Sequence, residues 1–423
     1  MRDRALQIGL FGTFDLENYG DLLFPLIAEA ELTERLGAVT LHRFSYNART
    51  APDWPYTVTS LTELPRMAGN LDGVLIGGGF IVRFGKTIVA GYGPPTPAIH
   101  HPTGYWLTPA LFALQHGIPL IWNAPSVDCN YIPGWADPLL QLVIANSSYI
   151  AVRDQPSQAA LARFVENEPV VLMPDTAFGF SRLLDERRPS VEFNRLRQAS
   201  GLNGPYIVVQ AIRGLDSFLG FVKKYSHLLR DFRFLALPIG PVLGDHEAIL
   251  ENDLPGLIRL PVWPHPLLLA EVISQAAAVV GESYHLAITA LTFGVPVFCS
   301  ADLTAGKYTG LAGFETIYPL PKEAETDPHW FVTRLGKTAP TPAALAARDQ
   351  LAQHWDRIAA EINKGSTGTQ RAVSEFLQSL PGLLESVHSA ELRRLLTSPS
   401  WKATAPARFV VRNLKRLVRK PKR

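Results

Sequence analysis

Two cysteines in 423 residues, Cys129 and Cys299, leave little for disulfides or a thiolate metal site to be built from. They form no C-x-x-C pair, and each stands in an apolar, strand-like run, so buried free thiols in a reducing cytosol are expected. No apolar run reaches the ~18 residues that argue for a membrane-spanning helix. The opening stretch from Met1 to Gly12 lacks the long apolar core and small-residue cleavage site of a signal peptide, and reads as a first strand. Charge is sparse: 18% of residues are charged against 47% hydrophobic, the balance of a folded globular chain. Acidic residues are missing altogether from Lys402 to Arg423, which holds nine basic ones. Taking those 9 from 40 leaves 31 basic against 38 acidic residues, a mildly acidic body of about −7 carrying a basic end. A nucleic-acid enzyme spreads its positive charge more widely, so nucleic acid is not expected as a partner.

The length exceeds what one hydrophobic core supports and predicts two domains. Apolar runs of strand length alternate with helix-length segments to about residue 320. Several, such as Val74-Leu75-Ile76 and Ile207-Val208-Val209, are apolar without alternation, as parallel strands covered on both faces are. The expected class is α/β, with two Rossmann-like, doubly wound domains in the GT-B arrangement, where ligands sit in the cleft between them. The expected division is 1–184 for the first domain, 185–204 for a linker and 205–340 for the second. A helical extension over 341–397 and a basic amphipathic tail over 398–423 follow.

Chemistry-bearing residues cluster where strands end. Asn18-Tyr19-Gly20-Asp21 follows the first strand and either offers backbone N–H groups to a ligand or is a turn in which Asp21 caps the next helix. Gly77-Gly78-Gly79 permits close approach of a ligand or makes a tight turn. Arg153 binds an anion or pairs with a carboxylate, Asp154 or Ser157 caps, and Asp175 lies near the expected cleft. In Gly281-Glu282-Ser283-Tyr284-His285 a strand gives way to a helix, placing His285 at a sheet's carboxyl edge as a candidate acid or base. Lys307, in an exposed loop, either neutralises an anion or is simply solvated. Two P-loop lookalikes fail. Gly79 and Gly85 are separated by five residues instead of four, and Phe331 occupies the first glycine position before Gly336-Lys337-Thr338. Gly281 to His285 is no nucleophile elbow, since His285 replaces its last glycine.

In order and spacing, Asn18-x-Gly20-Asp21, Gly77-Gly78-Gly79, Arg153-Asp154-x-x-Ser157, Pro174-Asp175, His285, Gly294-x-Pro296 and Lys307 resemble the polysaccharide pyruvyl transferase family. The resemblance spans roughly residues 7 to 320. It implies a transferase of surface-polysaccharide (exopolysaccharide) synthesis that moves a pyruvyl group from phosphoenolpyruvate onto a pair of sugar hydroxyls as a ketal. His285 is then the acid–base group, and Arg213, Ser283 and Lys307 hold the donor. Asn18, Gly20, Asp21, Gly77, Gly78, Gly79, Arg153 and Asp175 line the cleft and acceptor side. No metal and no cofactor beyond the donor are implied. One position departs: Ser283 stands where the family usually has the arginine of Arg-x-His, removing a planar anion clamp. The alternatives are a GT-B glycosyltransferase using a nucleotide sugar, or a non-catalytic saccharide-binding member. Against many retaining glycosyltransferases, Thr289-Ala290 occupies the register of their Glu-Ala pair. Ser398–Arg408 resembles a segment near the end of many bacterial polysaccharide glycosyltransferases. After it, residues 408–423 pattern as a basic amphipathic helix for an anionic bilayer or as a solvated tail. The expected place is cytoplasmic, peripheral at the inner membrane face, beside a saccharide acceptor that can be lipid-linked.

Overall fold

The computed structural model describes residues 4–404 except 86–100, 131, 166–168, 185–187, 251–252, 261–262 and 322–326. Residues 405–423 lie outside the described residues, and with them most of the expected basic tail. Two parallel sheets make the frame. The first holds β1 (Leu6–Phe11), β2 (Val39–Ser45), β3 (Thr59–Ser60), β4 (Gly73–Ile76), β5 (Leu120–Asn123), β6 (Tyr149–Val152) and β7 (Val171–Leu172). Their order is β3-β2-β1-β4-β5-β6-β7. The second holds β8 (Tyr206–Gln210), β9 (Arg233–Leu237), β10 (Ile258–Arg259), β11 (Ala278–Gly281), β12 (Val297–Cys299) and β13 (Ile317–Pro319), ordered β10-β9-β8-β11-β12-β13. The unbroken apolar runs are the central strands: Val74 to Ile76 and Ile207 to Val209 are fully buried between helical layers. The fold is two doubly wound α/β domains in a GT-B-like arrangement.

Each order reverses once, between β1 and β4 in the first sheet and between β8 and β11 in the second. At such a reversal the neighbouring connections leave toward opposite faces, and a crevice opens at the strands' carboxyl ends. The loops singled out from sequence, after β1 and after β11, flank these two crevices and face each other.

The halves are packed together, not merely tethered. Within the described residues one apolar cluster runs through both, joining Tyr19 and Phe24 of the Tyr19–Leu36 helix to Tyr284, Leu286 and Ala287 of the Tyr284–Thr292 helix. Phe180 meets Phe293 edge-on at 5.9 Å. The Tyr19 N–H donates to the Ile239 carbonyl at 2.9 Å, and its hydroxyl lies 2.8 Å from Thr289 Oγ1 in a fully buried contact. Each such aromatic burial contributes about 1.5–3 kcal/mol, so the interface holds the site's two walls in register. The Val191–Ser200 helix, between the sheets in sequence, is capped by Ser190 and packs on the Pro266–Ser274 helix. The Pro342–Lys364 helix returns to the first half, where His354 Nε2 lies 2.9 Å from Asn123 Oδ1 and Nδ1 lies 2.9 Å from the Tyr149 hydroxyl. The Gln370–Thr397 helix follows onto the Leu107–His116 helix.

Two local expectations are corrected. Cys129 is exposed in the loop after β5, because that strand ends at Asn123; Cys299, inside β12, is buried. Asp21 does not cap the first helix. That helix starts at Tyr19 with Asn18 as its cap residue, so Asp21 already stands within the first turn.

Candidate active site

The first wall is made by the loop after β1. Asp21 Oδ2 accepts hydrogen bonds from the Thr13 hydroxyl (2.6 Å) and the Asn18 amide (3.0 Å), which ties the loop to the helix it leads into. The carboxyl's pKa is raised: burial outweighs the pull of the His285, Arg153 and Lys307 charges. Gly20 is needed for contact. A Cβ there would stand 1.8 Å from His285 Nδ1, so the imidazole lies directly on the backbone of the first turn. The glycine triplet has another duty. A Cβ on Gly77 would meet Leu10 at 2.7 Å, and one on Gly78 would meet Phe24 at 2.6 Å. Gly79, at φ +83°, has Asp21 Oδ1 3.0 Å from its Cβ position. These glycines seat β1, the first helix and Asp21. Phe80 and Arg83, just beyond, face the cleft.

Between the walls, at the ends of β6 and β7, lies a buried polar network. Asp154 caps the Gln155–Ala162 helix by accepting from the Ser157 N–H at 2.8 Å. Its other oxygen accepts from Ser126 Oγ (2.5 Å), which accepts in turn from Arg153 Nε (2.6 Å). Arg153 also donates to Asp175 Oδ2 at 2.5 Å, and Asp175 Oδ1 accepts from the Ala177 N–H at 2.9 Å. So Arg153 pairs with a carboxylate. For Asp175, burial raises the pKa, but the Arg153 guanidinium, with His285 behind it, outweighs burial and holds it below the usual range.

The second wall begins at Gln210, the last residue of β8. Its side-chain Oε1 accepts from the Glu282 (2.9 Å) and Ser283 (2.8 Å) N–H groups, and its side-chain Nε2 donates to Asp245 at 2.9 Å. Asp245 also accepts from the Ile239 and Gly240 N–H groups. Thus Gln210 fixes the loop after β11, while Ser283 Oγ accepts from the Leu286 N–H at 3.4 Å and caps the Tyr284–Thr292 helix. His285, one residue into that helix, points across to the first half. Its ring meets Phe24 edge-on at 5.4 Å. Nε2 has no hydrogen-bond partner and lies 3.7 Å from Asp175 Oδ2, an electrostatic pairing too long for a hydrogen bond. Lys307 sits on the 3-10 turn Gly306–Leu311, with its ammonium 5.8 Å from the Tyr284 ring and 5.2 Å from the Tyr308 ring. Crowding by protein, then the Arg153 charge, lower its pKa, although its exposed surface limits how far. Arg213, exposed after β8, completes this side.

These walls enclose a cleft of about 540 Å³ between the two halves. Asn18, Asp21, Arg153, Arg213, Ser283, His285 and Lys307 all line it; Gly20, Gly77, Gly78, Gly79 and Asp175 do not. Sequence reasoning passed over Ser126, Gln210, Asp245 and Tyr284. Gln210 carried a readable signal, a polar residue closing an apolar strand at the expected ligand edge. Ser126 and Asp245 carried none, since only the fold brings them to their partners.

The sequence profile of the polysaccharide pyruvyl transferase family matches residues 18–301, which include most of both walls of this cleft, Thr13 and Lys307 lying just outside the match. The chain belongs to that family. No curated protein matches it significantly. Among solved structures, the UDP-GlcNAc 2-epimerase of Methanocaldococcus jannaschii is similar over 83% of this chain and 99% of its own, at 12% identity and a TM-score of 0.50. The UDP-GlcNAc 2-epimerase of Neisseria meningitidis, bound to UDP-GlcNAc, covers 88% and 99% at 14% identity and a TM-score of 0.46. At these identities the likeness is one of fold. In this pyruvyl transferase family member, Ser283 does two backbone jobs, capping the helix and holding the loop to Gln210, neither of which needs a guanidinium.

Proposed function

We propose that this family member transfers the pyruvyl group of phosphoenolpyruvate to two hydroxyls of a saccharide, forming a ketal and releasing phosphate. The carrying observation is His285: an imidazole with an unpartnered Nε2 on the wall of an interdomain cleft, in a chain of the pyruvyl transferase family. Protonation of the enol carbon makes the methyl group and leaves a cationic carbon beside the phosphate oxygen. One sugar hydroxyl adds there and loses its proton, the C–O bond to phosphate breaks, and the second hydroxyl closes the ketal as its proton passes to the departing phosphate. His285 is the proton carrier. Lys307 and Arg213 face the phosphate and carboxylate, and the N-terminus of the Tyr284–Thr292 helix beside Ser283 adds its N–H groups. Asn18 and Asp21 line the cleft beside His285, and Arg153 with Asp175 keeps the cleft's floor rigid.

The test is donor turnover by the purified chain with a lipid-linked saccharide present. Phosphate release from phosphoenolpyruvate, and no nucleotide release from nucleotide sugars, is the expected result. Nucleotide release alone would establish a GT-B glycosyltransferase instead, and saccharide binding without turnover of any donor a non-catalytic member.

The same reading puts the protein at the cytoplasmic face of the inner membrane in exopolysaccharide synthesis. Among the described residues no helix is long and apolar enough to cross a membrane. The Gln370–Thr397 helix exposes Leu377, Leu384, Leu392, Leu395 and Leu396, and the basic run begins at Lys402 just beyond it. Apolar surface followed by concentrated positive charge is what a peripheral contact with anionic lipid uses.

A further inference from the structure

A second cavity, of about 620 Å³, lies on the far side of Arg153 and Tyr284. Both residues line both cavities, so the interdomain cleft is a trough divided by one partition, the Arg153 guanidinium 5.2 Å over the Tyr284 ring. The chambers differ in charge. The front one is rich in charge of both signs, with Lys307, Arg213, Arg83 and His285 beside Asp21, Asp245 and Glu282. In the rear one, Arg153 is neutralised by Asp175, and Asp154 is engaged by Ser126 and the helix N-terminus. What remains for a ligand is neutral: the Gln155 and Gln350 amides and the Thr309 hydroxyl oxygen, whose proton goes to the Gly306 carbonyl, on the rim, with Phe314 on the floor. Phe314 stacks on buried Phe178 with centroids 5.0 Å apart and planes 8° apart, which fixes its orientation. A sugar ring offers an apolar C–H face and a rim of neutral hydroxyls. An aromatic floor edged by amides and a threonine complements both.

We propose that the rear chamber binds the neutral saccharide acceptor, so that donor and acceptor meet at the edge of the Arg153–Tyr284 partition from opposite sides. Only the donor's identity rests on the pyruvyl-transfer reading; the rear ligand's class follows from the rear lining itself. Ala346, exposed on the Pro342–Lys364 helix, faces this chamber, and Ala346→Trp fills it without entering the core; Gln350→Ala removes one amide from the rim.

The experiment uses the full chain. Saturation-transfer NMR with the methyl glycosides of glucose, galactose and mannose reads saccharide contact, and calorimetry with phosphoenolpyruvate reads the front chamber. Melting temperature confirms that the variants are folded. The expected result is a glycoside signal in the wild type that survives saturating phosphoenolpyruvate. Ala346→Trp reduces it about tenfold and Gln350→Ala about threefold, with phosphoenolpyruvate affinity unchanged within about twofold. The proposal is overturned by any of four results: no signal from the three glycosides, a signal unaltered in both variants, displacement by phosphoenolpyruvate, or a wild-type dimer that Ala346→Trp dissociates. Failure of phosphoenolpyruvate to bind, with the glycoside pattern intact, would instead overturn the donor reading and leave the rear chamber standing.

Discussion

His285 is held by shape. No hydrogen bond anchors Nε2, and the ring is wedged between the Gly20 backbone and the Phe24 edge. Gly20→Ala therefore pushes the ring out of its seat while deleting none of the proposed reacting groups. Misplacement of about 1 Å costs roughly 100-fold in rate, so turnover of the Gly20→Ala protein should fall by about that factor. Melting temperature should change far less, and equal losses of both would refute the positional role. His285→Ala should abolish turnover in a folded protein; near-normal activity would remove His285 from the mechanism. Arg153 and Asp175 behave differently because both are buried. Asp175→Ala leaves a guanidinium unpaired inside the protein and should cost about 3–5 kcal/mol, read by chemical denaturation.

The Pro342–Lys364 helix ties the end of the chain to the first half, and its anchor titrates. His354 is fully buried between Asn123 and Tyr149, and burial lowers its pKa from 6.5 to about 3. The folded protein thus refuses a proton that the unfolded chain accepts below pH ~6.5. Stability from this group is complete above that pH and declines as pH falls toward 3, by at most about 5 kcal/mol. His354→Gln, which retains a donor and an acceptor, should flatten the wild-type decline between pH 6.5 and 4. Unchanged slopes would place the acid sensitivity elsewhere. Among strands, the long apolar runs were readable because burial on both faces demands continuous hydrophobicity. The edge strands β3 and β13 were not: one is Thr59-Ser60 and the other ends in Pro319, and neither is apolar over enough residues to register.

Across the two halves, the proposed transfer depends on the crevices facing one another, and the proposed membrane contact on the basic end of the chain. Deleting everything after Ser400 should release the protein from anionic vesicles while preserving its fold, since that deletion removes the basic run. Vesicle binding that persists, or that is indifferent to salt, would refute the electrostatic contact.

The order of strands and helices, the two-domain class and the family are written in local pattern: continuous apolar runs, glycines and polar residues at strand ends, and their spacing. Hydrophobic periodicity and turn chemistry act over a few residues, so a linear reading reaches them. Contacts between distant segments are another matter. That Gly20 seats His285, that Gly78 makes room for Phe24, that Asp175 belongs to Arg153, and that Tyr284 divides the cleft all depend on residues far apart in the chain. The folding of the first half decides the second and third of these, and the packing of one sheet's crevice against the other's decides the first and last, because steric fit and charge pairing are settled by distances in space.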